Sequence, residues 1–96
     1  MKLSQKGSFF FMYSLYILHS DKLNGYYIGY TSLSVEERLY KHLHSKKGHT
    51  AKATDWKVVY VETYPTKQEA MQREKQLKAW KSKTRIIELI FRSSTD

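Results

Sequence analysis

The sequence predicts a small α+β domain in which three antiparallel strands form one sheet flanked by helices, in the order ββαβαα. Two alternating apolar runs lie on either side of an Asn-Gly turn, which is typical of a β-hairpin. Two helix-start signatures follow, with a third alternating run between them. The chain has 96 residues, which is enough for one domain with one modest core.

The first two strands are predicted at residues 12–18 and 26–31, where the sequence is β-rich and alternating. Residues 21–25 between them supply turn chemistry, because Asn24 and Gly25 accept positive φ angles at little cost. We therefore expect a hairpin.

Alternation along this hairpin brings two tyrosines to one face of the sheet. Leu15 and Ile17 point to one side of the first strand, and Tyr16 points to the other. If Ile28 faces the same core as Leu15 and Ile17, Tyr27 lies on the face of Tyr16. The two phenols are then predicted to share a surface.

Gly29 follows these residues in the second strand. We predict a close approach at this position, because a side chain there would crowd the tyrosine face or a bound nucleic-acid backbone.

The first helix is predicted from about Ser34 to Ser45, with Ser34 as its N-cap and Glu37 completing a capping box. Arg38 and His42 are four residues apart, so they lie on one helix face, beside the apolar stripe. The stripe consists of Val35, Leu39 and Leu43. Arg38 and His42 are therefore expected to reach a shared site at the edge of the core.

The third strand is predicted at residues 56–64, with Val59 and Val61 among its alternating positions and Pro65 ending it. Thr66 and Glu69 form a second capping-box pattern. That helix carries Ala70, Met71, Leu77 and Trp80, and a last helix, capped at or near Ser82, carries Ile86, Ile87, Leu89 and Ile90.

The ends of the chain are interpreted as a leader at residues 1–11 and a tail at residues 92–96, around a domain at residues 12–91. Lys2 and Lys6 precede an apolar run as in a signal peptide, but no small-residue cleavage site follows. No apolar run reaches the length of a membrane span. We expect a soluble, cytoplasmic protein with no membrane partner.

The charge balance indicates a polyanionic partner, with nucleic acid as the leading candidate. Seventeen Lys and Arg against nine Asp and Glu give a formal net charge of +8 and a pI of about 9.7. A basic surface can also serve solubility alone, so the charge needs an accompanying site. The absence of cysteine excludes disulfides, thiolate catalysis and cysteine zinc sites, and the histidines lack zinc-ligand spacing.

Glu74 is the residue whose position the helical pattern of apolar and polar residues explains least. It lies four residues after Ala70 and three before Leu77, so it interrupts the apolar face of its helix. It is either a site residue or a surface glutamate paired with Lys78 at i+4, and spacing alone does not decide between them.

The ordered set of these residues resembles the GIY-YIG nuclease superfamily, and in particular its small stand-alone bacterial members. Ser14-Leu15-Tyr16 and Tyr27-Ile28-Gly29 look like the paired tripeptides that name the family. Arg38, His42 and Glu74 stand where the family has its remaining active-site residues, and the likeness runs from about residue 13 to residue 90. The first tripeptide keeps only its tyrosine, and the late asparagine of many members has no counterpart.

The resemblance implies a catalytic set of Tyr16, Tyr27, Arg38, His42 and Glu74. Glu74 would bind one Mg²⁺ or Mn²⁺ ion, because such a hard cation needs few carboxylates and keeps several waters. Arg38 matches phosphate oxygens with its planar fork of donors. His42 would hydrogen-bond the phosphate or relay a proton.

A tyrosine is implied as the base that activates water, and Tyr16 is favoured, with Tyr27 positioning water or phosphate. Spacing does not separate the two. An ordinary phenol has a pKa near 10. We therefore expect Arg38, a lysine or metal-bound solvent to lower it, unless the phenol only orients water.

The predicted function is a metal-dependent DNA endonuclease, acting on duplex or branched DNA in repair or recombination. Basic residues would hold the phosphate backbone; those named for this role are Lys46, Lys47, Lys52, Arg73, Lys75 and Lys78. The alternatives are a non-catalytic nucleic-acid-binding module on the same fold and a protein-interaction adaptor. Cutting both strands would call for a dimer, although no interface pattern is readable.

Overall fold

The computed structural model describes residues 12–94, and their order of elements confirms the predicted ββαβαα fold. The elements are β1 (Tyr13–Ser20), β2 (Gly25–Thr31), α1 (Val35–Leu43), a 3₁₀ turn (His49–Lys52), β3 (Lys57–Tyr64), α2 (Lys67–Trp80) and α3 (Lys83–Ser94). The expected leader at residues 1–11 lies outside the described residues. Helix α3 continues through residues 92–94, which we had assigned to the tail.

The sheet has the order β2-β1-β3, and both pairings are antiparallel. In the β1–β2 register Ile17 pairs with Ile28, and Leu18 pairs with Tyr27. Tyr16 pairs with Gly29 in the same ladder. Directly paired residues share a face, so this register confirms that Tyr16 and Tyr27 lie on the face opposite Ile17.

Hydrophobic clusters cover both faces of the sheet, and each helix packs on one of them. Leu15, Ile17 and Ile28 pack with Leu77 of α2 and Ile86 of α3. On the other face the cluster contains Tyr16, Leu18, Ala53 and Trp56, with Tyr27, Val35, Leu39, Leu43 and Val58 packed against it. The apolar stripe of α1 therefore packs on the tyrosine face. Ile87 of α3, which we expected among the packed positions, is exposed.

A bulge in β3 interrupts the alternation that the sequence predicts for this strand. The register against β1 shifts between Ile17 and Leu18, which pair with Tyr60 and Val58, so Val59 has no partner there. Val59 packs on the cluster of Ile17, whereas Val61 is exposed. The two valines therefore do not form one buried row, because the extra residue resets the alternation.

The helix ends follow the predicted capping chemistry. Ser34 and Glu37 form both halves of a capping box at α1. At α2 the Thr66 hydroxyl accepts a hydrogen bond from the Glu69 amide. The Glu69 carboxylate accepts from the Thr66 hydroxyl and not from the Thr66 backbone amide, so α2 has only one half of a capping box. Ser82 accepts from the Arg85 amide and caps α3. Between residues 12 and 94 no helix combines the length and apolarity that crossing a membrane requires.

A half-buried ionic cluster joins α2 to β3. The guanidinium of Arg73 donates from Nε and Nη2 to the Glu62 carboxylate at 3.0 and 3.1 Å. The hydroxyls of Tyr60 and Tyr64 donate to the same carboxylate. Burial raises the pKa of Tyr60 to about 12, and the neighbouring Glu62 adds to this. The guanidinium of Arg73 is thus held by hydrogen bonds to Glu62.

The pairing of Gly29 with Tyr16 generates a stability prediction. A Cβ at Gly29 would lie 2.6 Å from the Tyr16 hydroxyl oxygen and 2.8 Å from Cζ, so Gly29→Ala should cost about 1–3 kcal/mol of unfolding free energy. Gly25→Ala is the matched control, because its Cβ would meet only the Leu23 carbonyl at 3.8 Å. Urea denaturation of both variants measures the difference, and equal losses would show that no close approach constrains Gly29.

Candidate active site

The hydroxyl of Tyr16 is the centre of a buried polar cluster between β1 and α1. Tyr16 is only 1% exposed. Its oxygen lies 2.7 Å from Nε2 of His42 and accepts a hydrogen bond from Nε of Arg38 at 3.3 Å. The i, i+4 spacing of Arg38 and His42 on α1 brings both side chains to this one oxygen, as the sequence predicts.

The partners of His42 define where its proton lies. Nδ1 of His42 is 2.9 Å from the Thr50 hydroxyl. If Nε2 carried the proton, the Tyr16 oxygen would accept from both His42 and Arg38, and its own buried O–H would have no acceptor. This hydrogen-bond pattern favours the tautomer in which Nδ1 carries the proton and donates it to Thr50. Tyr16 then donates to the Nε2 lone pair of His42.

Both members of the Tyr16–His42 pair are held neutral. Burial lowers the pKa of His42 from 6.5 to about 4, and the charge of Arg38 adds to this. Burial also raises the pKa of Tyr16 from 10.0 to about 12, although Arg38 acts in the opposite direction. The lowered phenol pKa that we expected from Arg38 is therefore not found in the protein itself, because desolvation outweighs the guanidinium.

Thr50 and Trp56 support the cluster from the loop after α1. Thr50 is 5% exposed and contacts His42, while its carbonyl accepts a hydrogen bond from the Trp56 indole at 2.9 Å. The sequence predicts a role for neither residue, because rules of periodicity and capping do not apply to them.

Tyr27 lies beside the cluster and is more open than Tyr16. Its ring packs edge-on against the His42 ring with centroids 4.9 Å apart, and it stacks at 6.1 Å on His49. It is half-buried, and its hydroxyl has no hydrogen-bond partner among residues 12–94. Tyr27 is therefore the more exposed phenol of the pair.

Glu74 faces the same site from α2. Its negative charge acts on the Tyr16 hydroxyl and contributes to the raised pKa of that phenol. Its side chain is 18% exposed and lies 3.3 Å from the Lys78 ammonium, which also sits 5.9 Å from the centre of the Tyr27 ring. Glu74 therefore forms the expected ion pair with Lys78 at a place where its charge also acts on Tyr16.

The acidic groups near the site are too few for a metal cage. In the described part of the chain, no group of three or more His, Asp or Glu side chains is arranged to hold an ion. A single carboxylate such as Glu74 suits a hard cation that keeps several waters and takes further oxygens from a phosphate. The donor set therefore fits one Mg²⁺ or Mn²⁺ ion that is shared with substrate.

The predicted backbone-binding residues occupy different environments. Lys46, Lys47, Lys52, Lys75 and Lys78 are exposed, the first three in the loop and turn that carry Thr50 and the last two on α2. Arg73 instead donates to Glu62 and Gln76 and is 21% exposed. The charge of Arg73 is therefore balanced by Glu62, whereas the five lysines are exposed and, within the part of the chain that the structure describes, Lys78 alone among them is paired, with Glu74.

The lowered pKa of His42 predicts a pH-dependent loss of stability. His42 stays neutral in the folded protein down to about pH 4, whereas the unfolded chain binds a proton near pH 6.5. Protonation of His42 therefore costs no unfolding free energy above about pH 6.5. As the pH falls toward 4, the protein loses about 3 kcal/mol of unfolding free energy through this residue. Urea denaturation between pH 7 and 4 should show a shallower decline for His42→Gln, and equal slopes would contradict the buried neutral ring.

Comparison with known proteins identifies the family. A model of the GIY-YIG catalytic domain matches residues 12–86. Solved structures include the solution NMR structure of the UPF0213 protein BH0048 from Bacillus halodurans, which shares 28% identity with this chain at a TM-score of 0.52. That match covers 82% of both chains. A search among curated proteins finds no match. Because the family model spans most of the sequence and includes both tyrosines, Arg38, His42 and Glu74, the chain belongs to the GIY-YIG family, whose catalytic domain is typically a nuclease.

Proposed function

We propose that this protein is a metal-dependent endonuclease that hydrolyses phosphodiester bonds in DNA. The observation that carries the proposal is the convergence of Arg38 and His42 on the buried Tyr16 oxygen, which the negative charge of Glu74 also reaches electrostatically. Hydrolysis needs an activated water, a cation donor for the phosphoryl oxygens and a site for the metal. Each requirement has a residue in this cluster.

Tyr16 and His42 together supply the base. The attacking water would donate to the Tyr16 oxygen while Tyr16 passes its own proton to Nε2 of His42, along the existing 2.7 Å contact. This transfer never leaves a phenolate in the interior, where burial disfavours it. Thr50 accepts from the other ring nitrogen and keeps His42 in the receptive tautomer.

Arg38 and Tyr27 position the substrate. Nε of Arg38 is held by Tyr16, while its terminal nitrogens have no partner among the described residues and can fork onto the scissile phosphate. The unpartnered hydroxyl of Tyr27 supplies a further donor for phosphate or water. The proposal thus keeps Tyr16 as the base and Tyr27 as a positioning group.

Glu74 would hold the divalent ion, Mg²⁺ or Mn²⁺, that GIY-YIG nucleases generally use. The ion would supply positive charge to the phosphoryl and departing oxygens. Lys78 would then leave the Glu74 carboxylate. This costs little, because an exposed i, i+4 ion pair stabilises a helix by only a few tenths of a kcal/mol.

The substrate is held through its backbone. The exposed lysines of the loop and of α2 flank the catalytic cluster, and contacts of this kind carry little sequence information and weaken steeply with salt. Duplex or branched DNA in repair or recombination fits such a site, in a cytoplasmic protein. Arg73, in contrast, is assigned to the Glu62 cluster and not to the backbone.

The second candidate is a nucleic-acid-binding module without turnover. The incomplete first tripeptide and the raised pKa of Tyr16 favour it, because a phenol that resists ionisation is a weak base. DNA binding without cleavage at any tested metal concentration would support this candidate.

Glu74→Gln and Tyr16→Phe should each lower DNA cleavage by about 100-fold or more, because each removes a group that acts on the reacting atoms. Labelled single-stranded, duplex, flap and branched DNAs with Mg²⁺ or Mn²⁺ provide the assay. Glu88→Gln on α3 and Tyr40→Phe on α1 are matched controls at exposed positions. Loss of activity in the controls, or full activity in folded Glu74→Gln, would contradict the assignment.

The relay through His42 predicts a particular pH dependence. Tyr16 and His42 both stay neutral between about pH 7.5 and 9, even where a bound phosphate brings the pKa of His42 back toward its ordinary value of 6.5, so the fold-loss caused by Tyr16→Phe should be equal at pH 7.5 and 9. A phenolate base would instead make that loss grow about tenfold per pH unit. Single-turnover cleavage rates of wild type and Tyr16→Phe, compared at each pH, distinguish the two mechanisms.

A further inference from the structure

A second polar and aromatic cavity adjoins the catalytic cluster at the end of the sheet where β1 begins and β2 ends. Its volume is about 440 Å³, within the range of about 300–1,000 Å³ of pockets that hold small ligands. It is lined by Tyr13, Tyr30, Thr31, Ser32, Leu33, Arg38 and Lys67. Arg38 belongs to both sites, so an occupant of this cavity lies next to the scissile phosphate of the proposed reaction.

We propose that this cavity binds one unpaired nucleotide next to the scissile phosphate and gives the enzyme a preference for DNA with single-stranded segments. This inference rests on the proposed function and deepens it, because it names the substrate class. Tyr13 and Tyr30 would stack on the base, and Lys67 would contact a neighbouring phosphate.

The strand register places the two tyrosines as a pair. Leu15 is opposite Tyr30, and Tyr13 precedes Leu15 by two residues, so Tyr13 and Tyr30 are diagonal neighbours on one face. The two side chains therefore lie side by side at this end of the sheet, on the face of Leu15. A base can stack on this pair of rings.

The chemistry of the lining favours nucleic acid. The phenols of Tyr13 and Tyr30 and the ammonium of Lys67 have no hydrogen-bond or ionic partner between residues 12 and 94. Both rings are half-buried, which presents aromatic surface at the cavity wall. Aromatic side chains beside a cation are the combination that binds single strands, because every base has a π face and every linkage a negative charge. A base inside an intact duplex cannot reach such a cavity without leaving its stack.

The test uses binding and not cleavage, so that it stands apart from the nuclease proposal. Full-length Glu74→Gln protein is titrated, without divalent metal, with a fluorescent 20-base-pair duplex and with the same duplex carrying a single-stranded flap. Removal of one stacking ring by Tyr30→Ala should weaken flap binding by about 5- to 100-fold and leave duplex binding unchanged. Tyr30→Phe should retain flap binding, because it keeps the stacking surface.

Tyr40→Ala is the matched control, since Tyr40 is exposed on α1 outside the cavity. Thermal denaturation of each variant checks folding, and Tyr13→Ala provides an independent probe if Tyr30→Ala does not fold. Equal weakening of duplex and flap binding, or equal losses in Tyr30→Phe and Tyr30→Ala, would overturn the proposal. If the wild type never cleaves but the flap-specific loss is found, the nuclease proposal fails and the nucleotide cavity stands.

Discussion

The hydrogen bond between the Tyr16 hydroxyl and His42 is the contact on which the candidate site depends, because it joins the central strand to α1 in the protein interior. This hydrogen bond also constrains which residues can stand next to it. Gly29 must leave room for the phenol ring across the ladder, and Thr50 must orient the imidazole from the far side. An unpaired hydroxyl or ring nitrogen at this depth would cost about 1–3 kcal/mol, so the chain satisfies each of them.

Residues on regular elements were the ones whose positions could be predicted. The two-residue period of β-strands predicted that Tyr16 and Tyr27 share one face of the sheet. The four-residue spacing on α1 predicted that Arg38 and His42 lie side by side. Thr50 lies in a 3₁₀ turn, where no period applies, and only the folded chain shows that it holds the imidazole. The bulge at Val59 escaped prediction for a related reason, since an extra residue leaves the composition of a strand unchanged.

Charge patterns in the sequence did not separate structural ion pairs from functional ones. Arg73 and Lys78 belong to the same basic run on α2, yet Arg73 is paired with Glu62 of β3 and Lys78 lies over the Tyr27 ring. Both have acidic partners. The difference lies in burial, because a bidentate, half-buried pair with two added tyrosine donors is far harder to exchange than an exposed lysine at i+4. Of the two cations, Lys78 is therefore the one that can change partners at low cost.

Arg38 links substrate binding to the strength of the base in the proposed reaction. Its positive charge lowers the pKa of His42 and thereby weakens that ring as a proton acceptor in the free protein. A phosphate on the free end of the guanidinium would offset this charge, and the pKa of His42 would rise. The attacking water then meets a better acceptor only when a scissile phosphate is in place. A base that is buried and neutral at rest is consistent with a nuclease that gains its full reactivity on binding DNA.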